Sequence, residues 1–379
     1  MLVAACHGGT KPAKSSAPSS PSSSSTSSTP AAAPGPRVCA DPPDVPGKMP
    51  NLRDKLAQLL MVGVRDAADA RAVVTESHVG GILIGSDTDL SMLPGPLGEI
   101  ANAAGPLPLA VGVDEEGGRV SRLRTLLDGR GPTAKEMAQT MTPPQVHDLA
   151  LTRGRKMKDL GITVDFAPVA DVTDEPDDSV IGDRSFGSDP AKVTEYAGAY
   201  AQGLRDAKLL PVLKHFPGHG HGSGDSHTGG VTTPPLSDLI ANDLLPYRDL
   251  LKAIPVAVMV GHMQVPGLTG SDPASLSKAA LDLLRTGTGY GGPPFDGPVF
   301  SDDVSSMAAI SDRFGVTEAV LKTLQAGTDI ALWVTTKEVP AVLDRLEQAV
   351  NAGDLPVQQV DASLVRVAAM KGVTATCGR

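Results

Sequence analysis

From about residue 50 onward, short apolar runs alternate with stretches of helical periodicity, and this alternation bounds the fold more tightly than any other feature of the 379-residue chain. The runs are Leu59–Val64, Val79–Gly85, Leu107–Asp114, Ile162–Asp171, Leu209–Lys214, Ile254–His262, Gly297–Asp302 and Asp329–Val334. Each is nearly continuous in Val, Ile, Leu and Ala, as parallel strands buried on both faces are. Between them the sequence predicts helices over 69–77, 92–104, 143–160, 190–207, 236–252, 277–287, 315–326 and 337–351, with a last one at 357–371. Asp189-Pro190 marks one helix entry and Gly327 one exit. Eight strand–helix alternations predict an α/β fold, a single (β/α)8 barrel of the TIM type. A doubly wound open sheet needs a glycine-rich loop after its first strand. Here that position reads Arg65-Asp66-Ala67-Ala68, without glycine.

A barrel of this kind carries its active site where the strands end. Five of the eight runs end in polar residues: Asp114, Asp171, Lys214 with His215, His262, and Asp302. Any one of them serves as well for a helix cap. Converging on one face, they define a site.

The densest chemistry follows the fifth run. Lys214-His215-Phe216-Pro217-Gly218-His219-Gly220-His221-Gly222-Ser223-Gly224-Asp225-Ser226-His227 packs four histidines, a lysine and a carboxylate into fourteen residues. Burying such groups unpaired is costly. A buried strand that delivers them onto a glycine-rich loop is the economical reading.

Four motifs resemble glycoside hydrolase family 3, in its β-N-acetylglucosaminidase branch. They are Val113-Asp114-Glu115-Glu116-Gly117-Gly118-Arg119-Val120-Ser121-Arg122, then Asp183-Arg184-Ser185-Phe186-Gly187, then Lys214 to Gly220 continuing to Asp225-Ser226-His227, and Phe300-Ser301-Asp302-Asp303. The resemblance spans about residues 52 to 335. It implies a retaining hydrolase with Asp302 as nucleophile and His227 as acid/base, and no cofactor. Asp225, two residues before His227, then orients the ring and favours its protonated form. Asp303 is the rival nucleophile. Neighbouring strand residues point opposite ways, so only one of the two faces the pocket, and the other caps the helix that follows. By motif, Asp114, Arg184, Lys214 and His215 grip sugar hydroxyls, and Arg122 is a further ligand. His262, Met263 and Asp171 are expected to line the pocket. His219 is expected to order the loop, and His221 to lie in solvent.

The amino-terminal region reads differently. Residues 15 to 36 contain only Ser, Thr, Pro, Ala and Gly, too little apolar surface to offset ordering entropy. Leu2-Val3-Ala4-Ala5-Cys6 resembles a lipobox. The expected organisation is therefore a signal-peptide remnant at 1–6 with Cys6 lipidated, a linker at 7–48 and a catalytic barrel at 49–379. That places the protein outside the cytoplasm, on the outer face of the membrane, where peptidoglycan fragments of the GlcNAc-MurNAc type are the source of β-linked GlcNAc. In an oxidising compartment Cys39 and Cys377, which bracket the folded region, are expected to pair.

Composition narrows the remaining classes. A net charge of -10 without basic blocks argues against a nucleic-acid partner. No apolar run approaches the roughly 20 residues of a membrane span. Aromatic residues are only 3%, which favours a small polar pocket over a long stacking cleft. The default assembly is a monomer. Within the family, a β-glucosidase or a phosphorolytic enzyme is an alternative, since a neutral imidazole does not repel phosphate. Outside it stand a metal-dependent barrel hydrolase, with ligands from His215, His219, His221, Asp225 and His227, and a non-catalytic glycan-binding lipoprotein.

Overall fold

The computed structural model describes residues 44–373. The lipidation reading of Cys6, the linker and the Cys39–Cys377 pairing fall outside the described residues.

Eight parallel strands close into a barrel. Numbered in chain order they are β1 (Leu60–Val64), β2 (Gly81–Ile84), β3 (Ala110–Val113), β4 (Val164–Asp165), β5 (Leu210–Phe216), β6 (Ala257–Val260), β7 (Val299–Asp303) and β8 (Ile330–Trp333). Every strand pairs with its chain neighbours, and β8 closes on β1 in the register Leu60 opposite Ala331. All eight apolar runs are strands. Burial on both faces explains why they lack polar alternation: β1, β2, β3, β6 and β8 are buried at every position.

The barrel interior is filled by side chains. Phe166 and Phe300 meet edge to face with ring centroids 5.3 Å apart. Gly112 makes room for Phe166, since a Cβ there lies 2.8 Å from the Phe166 ring and 3.0 Å from the Met61 sulfur.

The helices follow the predicted spans closely. Among the described residues Pro143–Asp159 and Pro190–Asp206 are the longest, at 17 residues each. Asp189 caps the second through the Ala191 N–H, and Gly327 ends Val316–Ala326 with φ 113°. Two predictions need correction. The helix expected over 236–252 is two, Leu236–Ala241 and Leu245–Ala253, because Pro246 restarts the helix at its first turn. The fourth run is also shorter than expected. Pro168 offers no ladder N–H, and the regular strand ends at Asp165; the Phe166 N–H still donates to Val113, Ala167 accepts from Val212, and a bridge joins Val169 to Lys214.

A short hairpin, Glu115–Gly117 with Val120–Ser121, stands on the end of β3. Its Glu115 is fully buried. The carboxylate accepts from Arg153 Nη2 at 2.7 Å, the Ser121 hydroxyl at 2.5 Å and the Leu123 N–H at 2.8 Å. Glu115→Ala leaves Arg153 buried without its partner. The expected cost is about 3–5 kcal/mol, read from a denaturant melt.

Candidate active site

The polar ends of the strands meet at one mouth. Lys214, near the end of β5, is only 2% exposed, yet its ammonium lies 2.6 Å from Asp114 Oδ1 and 2.6 Å from Glu116 Oε1. Burial alone lowers a lysine; the two carboxylates outweigh it and hold Lys214 above its ordinary value. Glu116 also takes both arms of the Arg184 fork, at 2.8 Å each. Burial raises Glu116, but Arg184 and Lys214 overcome that and hold the carboxyl well below its usual range. Glu116 therefore fixes two of the expected sugar ligands at once. Sequence reasoning gave it no role. A signal was present: alternate residues of an extended segment share a face, so Glu116 follows Asp114.

Asp171 does not line the pocket. It is fully buried, accepts from His215 Nδ1 at 2.7 Å, and accepts the His219 N–H at 2.8 Å. It positions the histidines rather than facing a ligand. Its carboxyl would rise on burial, but the neighbouring His215 holds it low.

His262 and Met263 are also corrected. His262 is 1% exposed; its Nε2 lies 2.8 Å from the Asp303 carbonyl and its Nδ1 2.6 Å from the Ser275 hydroxyl. A carbonyl only accepts, so Nε2 carries the proton and Nδ1 accepts from Ser275. Burial pushes this imidazole down, consistent with a neutral ring. Met263 is fully buried in a small ladder with Val231. His262 supports the end of β7 through the Asp303 carbonyl, and Met263 holds the segment that carries Val231.

At that end the two aspartates divide as strand alternation requires. Asp303 turns away and accepts from the Ser305 N–H at 2.8 Å, the Ser305 hydroxyl at 2.6 Å and the Ser306 N–H at 3.2 Å. Asp302 faces the pocket. Burial raises its carboxyl, but His215, the Asp303 N–H and Lys214 outweigh burial and keep it below its ordinary value. It is therefore ionised at neutral pH.

The histidine loop is tied to the barrel before it reaches His227. Gly220 passes so near that a Cβ there lies 1.9 Å from the Val172 carbonyl, and the Thr173 hydroxyl donates to the Gly220 carbonyl at 2.6 Å. His221 is not a free solvent residue: it is half-buried, with Nδ1 3.2 Å from Asp243, and that hydrogen bond raises its pKa. His219 is buried, and burial lowers its pKa. Asp225 accepts from both the backbone N–H of His227, at 2.9 Å, and its Nδ1, at 2.7 Å. The second contact leaves Nε2 as the nitrogen able to exchange a proton.

Two cavities adjoin here. The smaller, about 150 Å³, is lined by Asp114, Arg122, Lys214, His215, Asp302 and His227, among others. The larger, about 860 Å³, lies against Arg119, His221 and Asp225. His219, Arg184 and His227 line both. Asp302 lines only the small one.

A closed parallel barrel with an ionised aspartate and a carboxylate-held histidine at its mouth is the frame of a barrel hydrolase. The chain belongs to glycosyl hydrolase family 3: the family's model, described as the glycosyl hydrolase family 3 N terminal domain, matches residues 51–370. It is a glycoside hydrolase. The chain is 72% identical to beta-hexosaminidase LpqI of Mycobacterium tuberculosis, over its whole length and 96% of that protein. The solved structure of M. tuberculosis LpqI superposes with a TM-score of 0.86 at 76% identity, covering 89% of this chain and 98% of that one. A family 3 beta-N-acetylglucosaminidase from Paenibacillus sp. str. FPU-7 matches with a TM-score of 0.77 at 32% identity, over 87% of this chain and 64% of that one.

Proposed function

We propose that the chain is a retaining, exo-acting β-N-acetylglucosaminidase that removes terminal GlcNAc from peptidoglycan-derived fragments. One observation carries the reading: His227 stands between the two cavities while Asp302 lines only the smaller. The small cavity then takes one terminal sugar, and the larger takes the leaving group. Asp302 attacks the anomeric carbon as the leaving oxygen takes a proton from His227 Nε2. Water, deprotonated by the now neutral His227, then releases the sugar from Asp302 with net retention. Asp114, Lys214, Arg184, His215 and Arg122 hold hydroxyls where water is scarce and charged hydrogen bonds are strong. The hexosaminidase name of the M. tuberculosis relative supports the choice of sugar.

The test is hydrolysis of the 4-nitrophenyl β-glycosides of GlcNAc and glucose, followed by GlcNAc-MurNAc, with the anomer first released read by proton NMR. Preference for GlcNAc, cleavage of the disaccharide and a β-anomer are expected. Preference for glucoside, or an α-anomer, contradicts the reading. Sugar 1-phosphate formed in high phosphate replaces hydrolysis by phosphorolysis.

The histidines expected of a metal site are engaged apart: His215 with Asp171, His221 with Asp243 and His227 with Asp225. Full activity after EDTA treatment and dialysis is therefore expected, and loss restored by a divalent metal contradicts it. The lipid anchor at Cys6 belongs to this proposal. Globomycin-sensitive processing and detergent partitioning of the native protein check it, and Cys6→Ser is expected to abolish both.

A further inference from the structure

The amino ends of β3, β4 and β5, at the opposite end of the barrel from the mouth, border a cavity of about 350 Å³. Four cationic side chains line it, Lys158, Arg205, Lys208 and Lys371, and among the described residues no carboxylate does. None of the four is in an ion pair among the described residues, although the chain as a whole carries a net charge of -10. The nearby Asp206 is engaged elsewhere, by His147 at 3.0 Å and Gln202 at 2.8 Å.

The plain explanation is helix chemistry. The helices Pro143–Asp159, Pro190–Asp206 and Val357–Met370 all end at this cavity, and cations near helix C-termini offset the dipole. Three termini carry roughly half a negative charge each, against three full positive charges and the partly charged Lys371. The site is left positive.

Lys208 adds a second observation. It holds φ 66°, in the left-handed region, just past the helix end, where glycine is free of strain. Its N–H donates to the Arg205 carbonyl at 2.9 Å, which fixes that conformation. A lysine kept there at a backbone cost points to a use for its side chain. Lys371 is a third. Among the described residues its ammonium reaches only Gln58 Oε1, at 2.8 Å, and burial pushes it down to about 7. An anion beside it stabilises its charged form.

We infer that this cavity at the closed end of the barrel binds a phosphoryl-type anion, held by Lys158, Arg205, Lys208 and Lys371. Two sources share that chemistry, a soluble phosphate ester and the headgroup of an anionic phospholipid. In the second case the catalytic mouth faces away from the bilayer.

The probe is sulfate, which keeps one charge state between pH 6 and 8, titrated calorimetrically into the full chain carrying Cys6→Ser. Saturable binding of one equivalent is expected. Lys208→Gly and Lys371→Gln each weaken it roughly tenfold, the scale of one charged hydrogen bond. Hydrolysis of the 4-nitrophenyl glycoside stays unchanged. Lys208→Gly also relieves the strained backbone, so its Tm is expected to hold or rise while binding falls; this separates a ligand role from a structural one. Vesicles of phosphatidylglycerol in phosphatidylcholine then distinguish the sources. Co-sedimentation that Lys208→Gly reduces assigns the headgroup, and sulfate binding without co-sedimentation assigns a soluble anion. No saturable sulfate binding by the unsubstituted site, or equal binding by both variants, overturns the inference.

Discussion

Asp302→Ala is expected to abolish turnover, lowering kcat by at least roughly 10⁴-fold, as removal of a covalent nucleophile does. The loss is expected without unfolding. Among the described residues Asp302 makes one hydrogen bond of its own, from the Asp303 N–H at 2.9 Å, whereas the strand end is held by Asp303 and His262. The companion variant Asp303→Ala discriminates between the neighbours. It frees the turn through Ser305 and Ser306, so it is expected to lower Tm while keeping measurable chemistry. If Asp303→Ala proves chemically dead and Asp302→Ala retains activity, the two assignments are reversed. Circular dichroism melts beside single-turnover rates read both effects.

The second large effect concerns His227. His227→Ala is expected to lower kcat/KM on GlcNAc-MurNAc by roughly 10²–10⁴-fold, the range for a lost general acid. The loss is smaller on 4-nitrophenyl β-GlcNAc, whose leaving group departs without a proton. That split between substrates is the signature of an acid acting on the leaving oxygen, and a merely structural role does not produce it. The geometry motivates it, because Asp225 occupies Nδ1 and leaves Nε2 to exchange the proton. Asp225 acts through the ring as a positioning residue, so Asp225→Asn is expected to show the same split with a lesser loss. Equal loss on both substrates contradicts the role given to His227.

The barrel was legible because a strand buried on both faces has little freedom in composition. The runs ending at Asp114, Lys214 and Asp302 show it most plainly. The helix breaks were harder to see. Leu236 to Ala253 keeps its apolar spacing across the interruption, and only Pro246 signals the restart. Position at a strand end told which residues lie near the mouth, but not which way they face. Asp171 and His262 sit at the right height yet turn inward, one under His215 and the other against Ser275. Alternation lets only one of Asp302 and Asp303 face the pocket, the family resemblance favours Asp302, and the same alternation points to Glu116, which binds Lys214 and Arg184. His221 read as a solvent residue because nothing local marks Asp243, 22 positions further on, as its partner. Contacts of that kind come from the closed barrel and leave no short-range pattern.

The central claim is that the sugar passes through a covalent bond to Asp302. Incubation with 5-fluoro N-acetylglucosaminyl fluoride, followed by intact-mass measurement and peptide mapping, addresses it most directly. The account predicts one added fluoroglycosyl unit per chain, on the peptide that contains Asp302, absent from Asp302→Ala and released as activity returns. An active enzyme that accumulates no adduct, or one labelled at another carboxylate, contradicts it.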